Sequence, residues 1–343
     1  MTDIRYLAAY AIPVSALLAL SWQGIWAWAT VLLAFVILPI AELFTPTSTV
    51  NIPESLEDSR SRRRLFDWLL YLNAPLLFGI VGWYVFVIEC QILSTAEVIG
   101  LTLSVGIVVG ANGINVAHEL GHRRTRGEQL LAKIMLLPAL YQHFFVEHNR
   151  GHHKHVATDQ DPASARFGEN LYHFWVRSVT GSWCSAWRIE RERLVKENRP
   201  VMTWANEMLR FTVFQMLWLT GVFAWTGWKG LIGAMSVAVV GFLLLETINY
   251  VEHYGLRRRL LEGGRPEPVG PQHSWNSNHE MGRIMLYELT RHSDHHFKST
   301  RKYQVLRHMD ESPQLPFGYP TSIVLAMLPP LWFAVMNRVV PGS

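Results

Sequence analysis

Polar residues in this chain come in bursts between long apolar stretches. Six stretches approach the ~20 apolar residues needed to cross a bilayer: residues 4–21, 25–44, 66–88, 98–117, 211–225 and 231–250. The fifth is the shortest. The pattern predicts an all-α, polytopic membrane protein with about six transmembrane helices, organised as one domain over residues 1–343. Two further apolar segments read differently. Residues 323–340 contain Pro329-Pro330 and read as an interfacial or packed segment. Residues 130–145 contain Pro138 and fall short of a crossing, so they read as a re-entrant or interface-lying helix. The small pair Ala27 and Ala29 would suit signal cleavage. It sits inside the second apolar run, behind a basic region of Arg5 alone, so the first run reads as an uncleaved span. The Gly263-Gly264-Arg-Pro266-Glu-Pro268 stretch is a loop signal.

Composition agrees with a membrane location. Half of the residues are hydrophobic and 17% are charged, less charge than a soluble domain of this length usually carries. The position of the basic residues sets an orientation. Arg60, Arg62, Arg63 and Arg64 follow the second run, the stretch 123–210 is basic throughout, and Arg257, Arg258 and Arg259 follow the sixth. The turns near 22–24 and 90–95 have no Lys or Arg. The positive-inside rule then puts both termini and segments 45–65, 118–210 and 251–343 in the cytoplasm. No nucleic-acid partner is expected; membrane lipid is. Cys90 and Cys184 are solitary and form no CxxC pair, which excludes a rubredoxin-type or zinc-ribbon module.

The remaining signal is histidine. His118 and His122 are four apart, as are His148 and His152, with His153 adjacent; His292 precedes His295 and His296 by three and four. On a helix these spacings share a face and can chelate one ion, as HExxH does. His118-Glu-Leu-Gly-His122 fits that protease pattern literally, but a protease leaves the other clusters unexplained. With His253 there are nine imidazoles, all on the side that the basic loops call cytoplasmic. They predict a histidine-rich cap holding more than one metal ion. Imidazole suits Fe, Cu, Zn or Ni, and ligand type alone does not choose among them. His143, His173, His273, His279 and His308 lack partners at helical spacing and are read as structural; His155 is ambiguous. Ligating imidazoles usually donate their other N–H to a carboxylate or carbonyl. Asp294 lies inside the last histidine cluster, and Glu119, Glu147 and Glu252 flank or lie within the others. Glu246 and Asn249 lie one to two turns before His253.

At these residues the chain resembles the integral-membrane alkane 1-monooxygenase family, within the wider histidine-box hydroxylases and desaturases. The resemblance rests on Gly113-Ile-Asn-Val-Ala-His118-Glu-Leu-Gly-His122, Glu147-His-Asn-Arg-Gly-His-His153, Ala157-Thr-Asp-Gln-Asp-Pro-Ala-Ser-Ala165, Leu245-Glu-Thr-Ile-Asn-Tyr-Val-Glu-His-Tyr-Gly255, Ser274-Trp-Asn-Ser277 and Arg291-His-Ser-Asp-His-His296. It runs from about the fourth span to Pro320. Arg123, Thr290 and His155 depart from the usual pattern. The resemblance implies a di-iron centre, two iron ions held by His118, His122, His148, His152, His153, His253, His292, His295 and His296. It implies O2-dependent terminal hydroxylation of n-alkanes to 1-alkanols, with electrons from rubredoxin and its flavoprotein reductase.

A terminal C–H bond has no polar handle, so a metal-activated oxidant is required and the protein's part is to position the chain and exclude water. An apolar channel would select the chain end, with Phe78, Trp83 and Phe86 as candidate linings. Arg123, Arg124, Arg126, Arg257, Arg258 and Arg259 offer a basic face to an acidic electron donor. Competing readings are a hydroxylase or desaturase of another apolar substrate, alkylaromatic or fatty-acyl, and a membrane metal transporter. Transporter sites usually lie near the bilayer midplane, whereas these clusters gather at one face.

Overall fold

The computed structural model describes residues 3–342. Among the described residues regular structure is helical, with isolated β-bridges only. Among the described residues, five helices are long and apolar enough to cross a membrane: Asp3–Trp22, Gly24–Glu42, Arg64–Cys90, Thr95–Gly121 and Glu207–His253. The first four follow the first four apolar runs. The fifth has 47 residues, which as an unbroken helix would run about 70 Å at 1.5 Å per residue, more than twice the ~30 Å hydrocarbon core. It is broken at Gly227, whose φ of 68° and ψ of −160° are non-helical and open to glycine because it has no Cβ. Its two arms carry the fifth and sixth apolar runs.

The segment 130–145 is not one helix. Arg126–Met135 is helical, opened by the Thr125 side chain accepting from the Glu128 N–H at 3.2 Å. The chain then turns, with Leu140 at φ 51°, before the short helix His143–Glu147. At the other end, 323–340 is carried by two short helices, Tyr319–Ala326 and Pro329–Met336.

The chain divides into two compact units. One comprises Met1–Ile37, Arg64–Val146 and Ala186–Leu245. Its spans pack through small residues, as helices in lipid commonly do. A Cβ on Gly106 would overlap Val240, and one on Gly241 would lie 2.5 Å from Val109 Cγ1. Polar groups within the spans are paired: Ser104 Oγ donates to Ala27 O at 2.7 Å, and Asn112 Nδ2 to Asn73 Oδ1 at 2.9 Å. Arg123 is buried, 3.1 Å from Asp67 and 2.9 Å from Glu119. It is therefore withdrawn from the basic face that the sequence suggested.

The other unit comprises Leu38–Arg63, Glu147–Ser185 and Glu246–Ser343. Long loops are held here by buried donors. Arg291 sends Nη1 to Leu306 O at 2.6 Å and Nη2 to Val50 O at 3.1 Å. The first turn of a helix has unsatisfied N–H groups. In helix His292–Phe297, Asn276 Oδ1 accepts from the Ser293 N–H at 2.9 Å, and Ser293 Oγ donates to Ser274 O at 2.8 Å. Trp275 Nε1 donates to Tyr254 O at 2.9 Å. The Ser274–Ser277 motif thus clamps this histidine-bearing helix to the end of Glu207–His253.

Candidate metal centre

The second histidine cluster does not follow α-helical spacing. His148–His152 is a π-helix, with hydrogen bonds closing five residues apart. That geometry puts His153, not His152, beside His148: their Nε2 atoms are 3.1 Å apart. His152 turns to a different set of rings. The α-helical pairing of His148 with His152 at one ion is therefore replaced by an i,i+5 pairing.

Two groups result. In one, single nitrogens of His152, His253, His292 and His296 lie within 4.8 Å of one another, and all four residues are buried. His296 Nε2 is 2.9 Å from His292 Nε2 and 3.2 Å from His152 Nε2. His253 Nε2 is buried with no hydrogen-bond partner. In the other, His153 Nε2 is 3.1 Å from His148 Nε2 and 3.2 Å from His295 Nε2. His118 and His122 belong to the helical unit of the spans, at the end of Thr95–Gly121, with ring centroids 5.1 Å apart. Phe144 stands beside His118 at 6.2 Å.

Outer hydrogen bonds set the tautomers. His152 Nδ1 lies 2.9 Å from Asp161 Oδ2, and His253 Nδ1 3.3 Å from His273 O. A carboxylate and a carbonyl only accept, so each ring carries its proton on Nδ1 and directs the Nε2 lone pair inward. Facing lone pairs about 3 Å apart repel unless a cation or proton lies between them. The donor set therefore fits a metal ion that prefers imidazole nitrogen.

Burial raises the Asp161 carboxyl, but facing His152, its hydrogen bonds from His152 and Ser164, and His253 outweigh this and hold it below the usual carboxylate range. Burial, reinforced by the surrounding rings, holds His296 well below the usual imidazole range. Neutral nitrogen at that ring is the form that ligates.

The acidic candidates separate by contact. Glu252 Oε2 is 3.2 Å from His292 Nε2, and the Tyr319 ring packs close by, its hydroxyl donating to Trp275 O at 3.5 Å. Burial and that carboxylate push Tyr319 well above the usual phenol range. Asp294 accepts from Arg301 Nη1 and, at 2.8 Å, from the Arg307 N–H. It points away from the imidazoles because position i+2 on a helix faces away from i. Glu246 accepts from Ser178 Oγ at 2.5 Å and from Asn249 Nδ2 at 3.3 Å. Glu147 is buried at the start of the π-helix. His155 falls in neither histidine group, and His173 and His273 are taken by Glu169 and Glu267. Asp161, Tyr319 and the His273 carbonyl were not singled out from sequence. Asp161 sits nine residues beyond His152, outside any helical period, and Tyr319 follows a long loop.

Comparisons with known proteins give the family. Residues 93–323 match the fatty acid desaturase family model, a span that includes every histidine of both groups and His118 and His122. The chain is 41% identical over 318 residues to alkane 1-monooxygenase 2 of Pseudomonas aeruginosa, covering 92% of this chain and 84% of the relative. It is 37% identical over 328 residues to alkane 1-monooxygenase 1 of Alcanivorax borkumensis, covering 94% and 80%. At 26% identity over 345 residues, covering 98% and 89%, it is also similar to the xylene/toluene monooxygenase hydroxylase component of Pseudomonas putida. On these matches the chain belongs to the alkane 1-monooxygenase family.

Proposed function

We propose that this protein hydroxylates n-alkanes at the terminal carbon, using O2 and two electrons delivered by rubredoxin from its flavoprotein reductase. One oxygen atom enters the C–H bond to give the 1-alkanol, and the other leaves as water with two protons. The reading rests above all on four buried imidazoles whose inward nitrogens lie within 4.8 Å of one another. In it, His152, His253, His292 and His296 hold one iron. The remaining five histidines of the family resemblance, His118, His122, His148, His153 and His295, complete the ligand set for two irons. A bound di-iron pair supplies the redox chemistry that activates O2 against a bond without an acid–base handle.

The chain's own groups do the rest. Asp161 and the His273 carbonyl fix two ligand rings, and Asp294 anchors their neighbours through Arg301. Glu252 lies buried against His292. The whole chain acts as one catalytic domain in the bacterial inner membrane. It crosses six times, with the two arms around Gly227 as the last crossings, and keeps its termini and metal site on the cytoplasmic side. Lipid surrounds the spans.

The test is turnover of octane through hexadecane under labelled O2 by iron-loaded protein with rubredoxin and reductase. Labelled 1-alkanols are expected. The similarity to the xylene/toluene hydroxylase component gives a second reading, oxidation of an alkylaromatic methyl group. Benzylic alcohol from a toluene arm, with no alkanol from any alkane, would establish it instead.

A further inference from the structure

We infer that the surface around Tyr254 binds an anionic phospholipid, its phosphate between Arg166 and Arg338 and its acyl chains along Phe167, Leu331 and Val339. All of these residues lie in the unit that contains Glu246–Ser343. Depth is the first argument. The second arm of Glu207–His253, residues 228–253, runs about 39 Å at 1.5 Å per residue. The ~30 Å hydrocarbon core takes only part of that length. With exposed Trp228 at one interface, Tyr250 and Tyr254 emerge among the headgroups of the other. Trp332 packs on both, with ring centroids at 5.3 and 5.4 Å. Helix Pro329–Met336 therefore lies at headgroup depth.

Contact joins the two segments that carry the arginines. The Tyr254 hydroxyl accepts from the Gly168 N–H at 3.0 Å and donates to Asn337 Oδ1 at 2.7 Å. Gly255 N donates to Ala165 O at 3.1 Å, and a Cβ on Gly255 would meet both Val340 and Phe167. Arg166-Phe167 and Arg338-Val339 are thereby neighbours. Phe167, Leu331 and Val339 are 52%, 53% and 42% exposed. Scattered apolar side chains on a surface are ordinary, but a contiguous set marks an interaction site. Arg166 and Arg338 are exposed too, and neither is in an ion pair among the described residues. Glu169, the acid nearest to Arg166 along the chain, is held by Arg177 at 2.7 Å and His173 at 2.8 Å. Two uncompensated guanidiniums beside exposed apolar side chains, at headgroup depth, match a phosphodiester with hydrocarbon attached. A zwitterionic headgroup sets its own cation against that phosphate, so an anionic lipid is preferred.

The probe is phosphatidylglycerol with a diazirine in its acyl chain, dilute in phosphatidylcholine nanodiscs that hold the full-length protein. Phosphatidylcholine with the same diazirine chain is the comparison. After photolysis, peptide mass spectrometry should find residues 166–172 and 328–340 labelled by phosphatidylglycerol well above phosphatidylcholine. Arg166→Gln and Arg338→Gln should each lower that label about fivefold, the scale of one basic side chain at an anionic bilayer surface. Together they should bring it to the phosphatidylcholine level, while Arg166→Lys with Arg338→Lys should keep it. Unchanged labelling of the spans reports that the variants are folded. Equal labelling of the two peptides by both lipids would leave an ordinary bilayer contact. Labelled spans with neither peptide labelled would mean that the surface is off the membrane or covered by a second copy of the chain. Loss of the label to inorganic phosphate at constant ionic strength would make it a free-anion site. Each of these three results overturns the inference. Labelling needs no turnover, so its outcome is independent of the proposed reaction.

Discussion

Asp161 accepts from His152 Nδ1 at 2.9 Å, and that bond decides which nitrogen of the ring is free to ligate. Asparagine at 161 keeps the shape but removes the charge and offers an N–H in place of an acceptor half the time. Metal affinity should fall 10- to 100-fold on Asp161→Asn, roughly the range for lost partners of ligating imidazoles. A competitive chelator titration reads this directly. Unchanged affinity would strip Asp161 of its positioning role.

His253 brings an unpartnered Nε2 into the group of four. His253→Ala should leave bound iron below stoichiometric and abolish product. Elemental analysis and product chromatography are the measurements. His173→Ala, on an exposed ring paired with Glu169, should keep both. Full iron and full activity in the His253 variant would refute its role as a ligand.

The spans were readable because a membrane helix needs a long apolar run and little else. Gly227 falls in the gap between the fifth and sixth runs, where the structure carries one kinked helix instead of two separate ones. The grouping of histidines was not readable. Helical spacing paired His148 with His152, whereas the π-helix pairs His148 with His153. One extra residue per turn leaves no mark in the order of residue types. Nor did proximity in sequence find the carboxylates that matter: Asp294, inside a histidine box, faces Arg301, while Asp161, nine residues from His152, reaches its ring. Loop conformation made that choice.

Close helix packing makes a separate prediction. A Cβ on Gly106 would overlap Val240, while one on Gly79 meets nothing within 4 Å. Gly106→Ala should therefore lose about 1–3 kcal/mol, as overpacked sites do, and Gly79→Ala should lose little. Thermal unfolding in detergent compares them. Equal midpoints would mean that the two spans part freely at Gly106.

The basic face that would meet an acidic electron donor is narrower than the sequence suggested. Arg258 donates to the carbonyls of Glu267 and Lys154, and Arg257 faces Asp159 at 3.2 Å. Arg259 is paired with Glu267 yet 85% exposed. Arg259→Glu should slow reduction by rubredoxin at low salt and have less effect at high salt, where exposed charges are screened. Arg258→Glu should instead lower thermal stability. Stopped-flow reduction across ionic strengths tests this, and a salt-independent rate for Arg259→Glu would remove it from docking.

His143 gives a prediction in pH. Burial holds its pKa near 3, down from 6.5, and its Nε2 has no partner. The unfolded chain takes up this proton as pH falls through about 6.5, while the folded protein refuses it until about 3. The ring's contribution to stability is thus complete above pH 6.5 and declines steadily between 6.5 and 3. His143→Gln removes the titrating group, so its unfolding midpoint should drop less steeply with acid than that of the parent protein. Taking the difference between the two cancels the titration of the remaining histidines. Parallel midpoint curves from pH 7 to 4 would show that His143 is protonated in the folded state or already shielded in the unfolded one.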